Sequence, residues 1–216
     1  MTRVVIADDH AIVREGLEQI LAGTEFTVVG EASDGQETLE RCRDTDFDVL
    51  VLDLSMPKRN GLDLIKQIRT EKPKLRILVL SMHEEKQYAI RAIRAGASGY
   101  LTKESASAQL LAAMRKVAAG GAYISAAVAE QLALDAMPNA AGGPPHKLLS
   151  NREYQVFQLL VGGRSVSDIA DRLNLSIKTI STHKARLLEK MGMTSTAELV
   201  HYAVRHHLVE PPDLDS

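Results

Sequence analysis

The first 120 residues repeat one alternation five times. Short apolar runs rich in β-branched residues occupy Val4 to Ala7, Thr27 to Val29, Val49 to Leu52 and Ile77 to Leu80, with a weaker fifth at Gly99 to Leu101. The runs are continuous, as in strands covered on both faces. Between them the apolar residues take helical spacing: Ile12, Leu17, Ile20 and Leu21; Leu39 onward; Leu62, Ile65 and Ile68; Ile90 and Ile93; Leu110, Leu111, Met114 and Val117. Strand alternating with helix restricts the chain to a parallel sheet with helices on both faces. Five units complete a doubly wound α/β domain with a five-stranded parallel sheet over residues 1–120.

The pattern then changes. Gly120-Gly121 stops the last helix, and Ala126 to Met137 reads as a short Ala-rich helix. Pro138 to Pro145 is a linker by its Pro and Gly content, so residues 121–146 join two domains. Residues 147–211 are helical throughout and predict an all-α domain of four helices. Ser150 with Glu153 has capping-box spacing, Ser165 with Asp168 opens the next helix, and Ser195 with Glu198 opens the last, which runs to about His206. Gly162-Gly163 and Gly192 are stops. Two helices joined at Asn174-Leu175-Ser176 and flanked by two more suit a helix-turn-helix module.

Charge and cysteine content narrow the setting. Formal net charge is −2, so any nucleic-acid surface must be a local patch. Cys42 is the single cysteine, which rules out an internal disulfide and suits an inert helix-face residue in a reducing compartment. No stretch approaches the roughly 20 apolar residues of a membrane helix. The N-terminal apolar run is too short for a signal peptide, so the expected location is the cytoplasm.

The chemistry concentrates at strand ends. Asp8 and Asp9 end the first strand, Asp53 the third and Ser81 the fourth, and Lys103 follows the fifth. In an open parallel sheet these ends meet in one crevice. Three carboxylates there repel one another and would raise each other's pKa. A hard divalent cation such as Mg²⁺ removes that conflict. A central carboxylate can then act as nucleophile and form an aspartyl phosphate. Phosphoryl transfer needs positioning and charge neutralisation, which Mg²⁺ on Asp8 and Asp9, the Lys103 ammonium and the Ser81 hydroxyl would supply.

The stretches VVIADDH, VLVLDLSMP with Gly61, ILVLSMH and GYLTK resemble the receiver domain of bacterial response regulators, a flavodoxin-like fold. The resemblance implies that Asp53 is the phospho-acceptor and a sensor histidine kinase the donor. It implies that Asp9, Asp53 and the Ser55 carbonyl ligate Mg²⁺ directly, with Asp8 acting through water. Tyr100 takes the place of the family's switch aromatic, moving with Ser81. Lys58, Met82 and Glu104 depart from the usual receiver pattern; Met82 could narrow access to Asp53. Ser55 and His83 flank the site and are expected to tune water attack on the phosphoryl group.

In the C-terminal half, Ile180, Leu187 and Met191 form an inward stripe on the helix Ile177 to Met191. Lys178, Ser181, Thr182 and Ala185 follow i, i+3, i+4, i+7 spacing on the opposite face, which suits a major groove. Lys184, Arg186 and Lys190 on the flanks can reach phosphates. Leu149, Arg152, Glu153, Gly163, Ile169, Ala170, Leu173, Leu175, Ser176, Thr179, His183, Glu198 and Leu199 resemble the LuxR-type helix-turn-helix of NarL/FixJ response regulators. That resemblance places Lys178 and Thr179 near phosphate and Ser181, Thr182 and Ala185 near bases. It also implies a homodimer, at least on DNA or when phosphorylated, through the helix Ser195 to His206. His183 is read as structural or as a phosphate contact, and neither it nor His206-His207 has the company of a metal site. The expected protein is a non-enzymatic transcription regulator, with slow self-dephosphorylation at most. Its rivals are a constitutive regulator, a phosphatase or phosphotransferase with Asp53 as nucleophile, and an adaptor that never meets DNA.

Overall fold

The computed structural model describes residues 1–56, 59–82, 86–135, 144–206 and 208. The readings at Lys58 and His83, the end of the Ala-rich helix at 136–137, the Pro/Gly run 138–143, His207 and the domain end at 209–211 lie outside them. The chain divides into two compact units, Met1–Ala136 and Met137–Ser216.

The first unit is a five-stranded parallel sheet in the order β2-β1-β3-β4-β5. The strands are β1 (Thr2–Ala7), β2 (Phe26–Ala32), β3 (Val49–Asp53), β4 (Arg76–Ser81) and β5 (Gly99–Thr102). Helices α1 (Ala11–Leu21), α2 (Gly35–Asp44), α3 (Gly61–Glu71), α4 (Lys86–Ala95) and α5 (Lys103–Ala118) make the crossovers. Every residue of β3 is buried, which is why its run is apolar without interruption. β2 runs past its apolar core through Gly30 and Glu31 to Ala32, and its pairing with β1 shifts register between Val4 and Val5. Strand order reverses between β1 and β3, so their C-terminal ends flank the crevice where such sheets bind ligands.

Two local devices shape the loop after β3. The Asn60 side chain accepts from the amides of Leu62 and Asp63 and starts α3. Gly61 lies so close to Leu54 that a Cβ there would sit 2.7 Å from the Leu54 Cα, so only glycine lets the loop fold back on itself.

The β5 edge does not end at the fifth strand. Tyr123 adds an isolated parallel bridge to Gly99. Its carbonyl accepts from the Tyr100 amide at 2.8 Å, and its own amide donates to the Ser98 carbonyl at 3.1 Å. Helix α6 (Ala126–Asp135) follows, packs on α4 and buries Val128. The start of the segment expected to be linker therefore belongs to the first unit by its contacts.

The second unit contains a short 3-10 helix (Pro145–Leu148) and α7 (Asn151–Val161), α8 (Val166–Leu173), α9 (Ile177–Met191) and α10 (Thr196–Arg205). Capping boxes form at Ser150/Glu153 and Ser165/Asp168. At the third site Ser195 accepts from the Glu198 amide, but the Glu198 carboxylate turns to the Thr194 amide and hydroxyl instead. Asn174 caps α8 in the left-handed region at φ 55°, which makes the tight turn into α9. Tyr154, Phe157, Ile169, Ile180, Leu187 and Leu199 form the core. The 3-10 helix buries His146, whose Nδ1 lies 2.7 Å from the Tyr202 hydroxyl of α10. No helix among the described residues is long and apolar enough to cross a membrane.

Candidate functional site

The C-terminal ends of β1 and β3 bring three carboxylates together. One ligand atom from each of Asp8, Asp9, His10 and Asp53 lies within 4.8 Å of all the others. Asp8 and Asp53 are each only 1% exposed, whereas Asp9 and His10 face solvent. The Asp8 Oδ1 accepts from the His10 amide at 2.9 Å, so the same residue that faces the pocket also turns the chain into α1. Ser55 lies on the loop after β3, where its amide donates to Asp53 Oδ1 at 2.9 Å.

Lys103 is the first residue of α5 and reaches across from the β5 end. Its Nζ donates to Asp53 Oδ2 at 2.9 Å and lies 2.6 Å from Asp8 Oδ2. The Asp8 approach is an ion pair without aligned hydrogen-bond geometry. Burial would by itself lower the Lys103 pKa, but the two carboxylates outweigh it and hold the ammonium charged. At Asp53 burial wins and pushes the carboxyl up, against Lys103 and the Ser55 amide. The pocket thus concentrates more negative charge than its one lysine balances, with hard oxygen donors in reach of one another. That donor set fits a hard divalent cation.

Ser81 ends β4 one residue beyond Leu80, the register partner of Asp53, and is fully buried. Tyr100 pairs with Val79 in β5 and is buried rather than lying open on the sheet edge. Met82 is exposed. Asp8, Asp9, Asp53, Ser55 and Lys103 are brought into direct reach, and Ser81 stands at the neighbouring strand end. His10 joins the acidic group through Nδ1, 2.9 Å from Asp9 Oδ1. Its place directly after Asp8-Asp9 was the signal for it, though the sequence reading gave it no role.

In the second unit α9 buries Ile180, Leu187 and Met191 and leaves Lys178, Ser181, Thr182, Ala185 and Arg186 exposed. Lys184 is half-buried on the flank. Ser176 caps the helix, accepting from the Thr179 amide at 3.1 Å, and its hydroxyl lies 2.8 Å from that of Thr179. Thr182 donates to the Lys178 carbonyl at 2.9 Å. Half-buried His183 is held below the usual imidazole pKa by burial and by the nearby Arg152 and Arg186 cations. Lys190 meets a competing partner: its Nζ donates to the buried Glu153 carboxylate of α7 at 2.6 Å. That ion pair ties α9 to α7.

Known proteins carry the same two parts in the same order. Residues 4–115 match the model of the response regulator receiver domain, and residues 147–203 match that of the bacterial regulatory proteins of the luxR family. The chain therefore belongs to the response regulators that join a receiver to a LuxR-type DNA-binding domain. Among its relatives, the response regulator GacA of Pseudomonas viridiflava is 38% identical over 211 residues, covering 97% of this chain and 99% of that protein. The response regulator UvrY of Escherichia coli K12 is 35% identical over 217 residues, covering all of both chains. A solved structure of RcsB from Salmonella enterica serovar Typhimurium is 33% identical with a TM-score of 0.65, covering 94% of this chain and 98% of that one. That RcsB is bound to promoter rprA in the presence of phosphomimetic BeF3⁻.

Proposed function

We propose that Asp53 accepts a phosphoryl group from a sensor histidine kinase, and that the modified chain binds promoter DNA through α9. The Lys103 ammonium set between Asp8 and Asp53 carries the first half of this reading. Its charge opposes the burial that raises the Asp53 pKa and so favours the ionised form a nucleophile requires. The Asp53 carboxylate oxygen attacks the phosphorus of the donor's phosphohistidine. The new O–P bond makes an acyl phosphate, and the P–N bond breaks with its electron pair going to nitrogen, so that the donor ring, already protonated on its other nitrogen, leaves as neutral imidazole. Asp8, Asp9 and Asp53, with the Ser55 carbonyl, would hold magnesium. When bound, that ion neutralises charge on the phosphoryl oxygens. Lys103 moves from carboxylate to phosphoryl oxygen, and the Ser81 hydroxyl donates to another. Tyr100 follows Ser81 as the switch aromatic.

On DNA, Lys178, Thr179, Lys184 and Arg186 contact phosphate, and Ser181, Thr182 and Ala185 face the bases. Lys190 is reassigned to holding α7 against α9. Helix α10 pairs two copies, so half-sites lie one helical turn apart. The protein acts in the cytoplasm and loses its phosphoryl group slowly, without turnover as an enzyme. Coupling requires one conformational state that favours both phosphoryl group and DNA.

Selection of bound sequences from random duplexes, with and without acetyl phosphate and Mg²⁺, tests the whole reading. Enrichment of a two-fold symmetric site that strengthens on phosphorylation is expected. Equal enrichment in both arms removes the switch, and no enrichment removes the DNA reading.

A further inference from the structure

Apart from Lys178, assigned to phosphate above, and Ser181, the outward face of α9 offers few groups that donate to bases. Thr182 spends its one hydroxyl proton on the Lys178 carbonyl at 2.9 Å. Its oxygen keeps only acceptor capacity, and its γ-methyl becomes its main contact group. Ala185 offers a methyl and nothing else. Ile177 opens the helix and is 58% exposed, an unusual place for a large β-branched apolar side chain. It stands one turn before Ser181 and two before Ala185, on a single i, i+4, i+8 row. Ser181 keeps a hydroxyl that suits several bases.

The major groove offers one apolar recognition feature, the C5-methyl of thymine. Guanine is read by a bidentate Arg or Lys, and none of Ser181, Thr182 or Ala185 can make that contact. We infer that this face reads thymine methyl groups, through the Thr182 γ-methyl and Ala185, with Ile177 closing the apolar contact at the helix start. The inference rests on the DNA-binding reading above and adds the chemistry of the bases to it.

Replacing one thymine by deoxyuridine deletes the methyl and nothing else. The full chain, treated with acetyl phosphate and Mg²⁺, is titrated by fluorescence anisotropy onto the duplex enriched from the random pool. Each thymine of a half-site is then changed to deoxyuridine in turn. At least one change per half-site is expected to weaken binding about fourfold, the worth of one buried methyl group. Thr182→Val keeps a methyl at that place and should keep the uracil sensitivity. Thr182→Ser keeps the hydroxyl, loses the methyl and should lose the uracil effect at one position. Position 182 is exposed, and equal melting temperatures show that both variants fold. A selected duplex with no uracil-sensitive position overturns this inference and leaves the DNA-binding reading standing. So does a Thr182→Ser chain that keeps the uracil effect while Thr182→Val loses binding. A pool that yields no enriched duplex overturns both.

Discussion

The strand-end pocket of the first unit and the outward face of α9 solve opposite problems. In the pocket, Asp8, Asp53 and Lys103 are withdrawn from water, and the one ammonium is shared between the two carboxylates. Loss of Lys103 would leave both carboxylates there uncompensated. On α9 the outward side chains are exposed, and among them the Thr182 hydroxyl bonds within the helix, to the Lys178 carbonyl. Most of the side chains displayed there are small or polar, and in the reading proposed above a DNA partner completes their contacts. Buried charge therefore specifies chemistry, while an exposed helix face specifies geometry and leaves the ligand's sequence open.

The sharpest way to break this contrast is to remove the lysine. Lys103→Ala leaves Asp8 and Asp53 facing each other unpaired, at a cost of about 3–5 kcal/mol to the first unit. Its urea transition should move down while that of the second unit stays in place. A first unit of unchanged stability would show that the ion pair is a surface feature. Next comes the inward side of α9: Leu187→Ala empties a fully buried site and should cost the second unit about 2–5 kcal/mol. Thr182→Ala on the outward face should shift the same melt only slightly, within roughly 0.5 kcal/mol.

Lys190 gives a smaller test. Its side chain is 41% exposed while its partner Glu153 is buried, so Lys190→Met should cost about 1–2 kcal/mol, less than breaking a fully buried pair. The pair also makes a pH signature. Burial alone would raise the Glu153 pKa, but Lys190 and the Ser150 amide reverse this and hold it below 4.5. A carboxylate depressed on folding contributes stability above its unfolded pKa and loses it as pH falls through the folded value. Melting of the second unit should therefore drop below about pH 4.5, and that drop should shrink in Lys190→Met. If the variant shows the same acid slope, Lys190 is free after all. The cap comes below that pair: Ser150→Ala should cost about 1 kcal/mol, read from the same melt.

What could be read from the residues follows the same division. The strands were legible because burial on both faces demands uninterrupted apolar runs, and the five pocket residues because a parallel sheet sends every strand end to one side. β2 was read short because Gly30 and Glu31 break the apolar run although the backbone stays extended. The capping boxes at Ser150 and Ser165 are contacts within one turn and were visible in the spacing. The helix start at Ser195 and Glu198 was visible in the same way, whereas the turn of the Glu198 carboxylate to Thr194, one residue before the cap, was not. Lys190 and the Tyr123 bridge depend on elements far away in the chain, α7 and β5, and no local pattern announces them. His146 likewise lies in what composition marks as linker, and only the approach of Tyr202 makes it part of a core.

The central claim is that one carboxylate among the clustered acids takes the phosphoryl group. Incubation with acetyl phosphate and Mg²⁺, followed by intact mass and reductive mapping of the modified peptide, tests it most directly. The account predicts one added phosphoryl group on the wild-type chain, located at Asp53, and none on Asp53→Asn. Equal labelling of the Asp53→Asn chain, or a label mapped to Asp8 or Asp9 in the wild type, would contradict it.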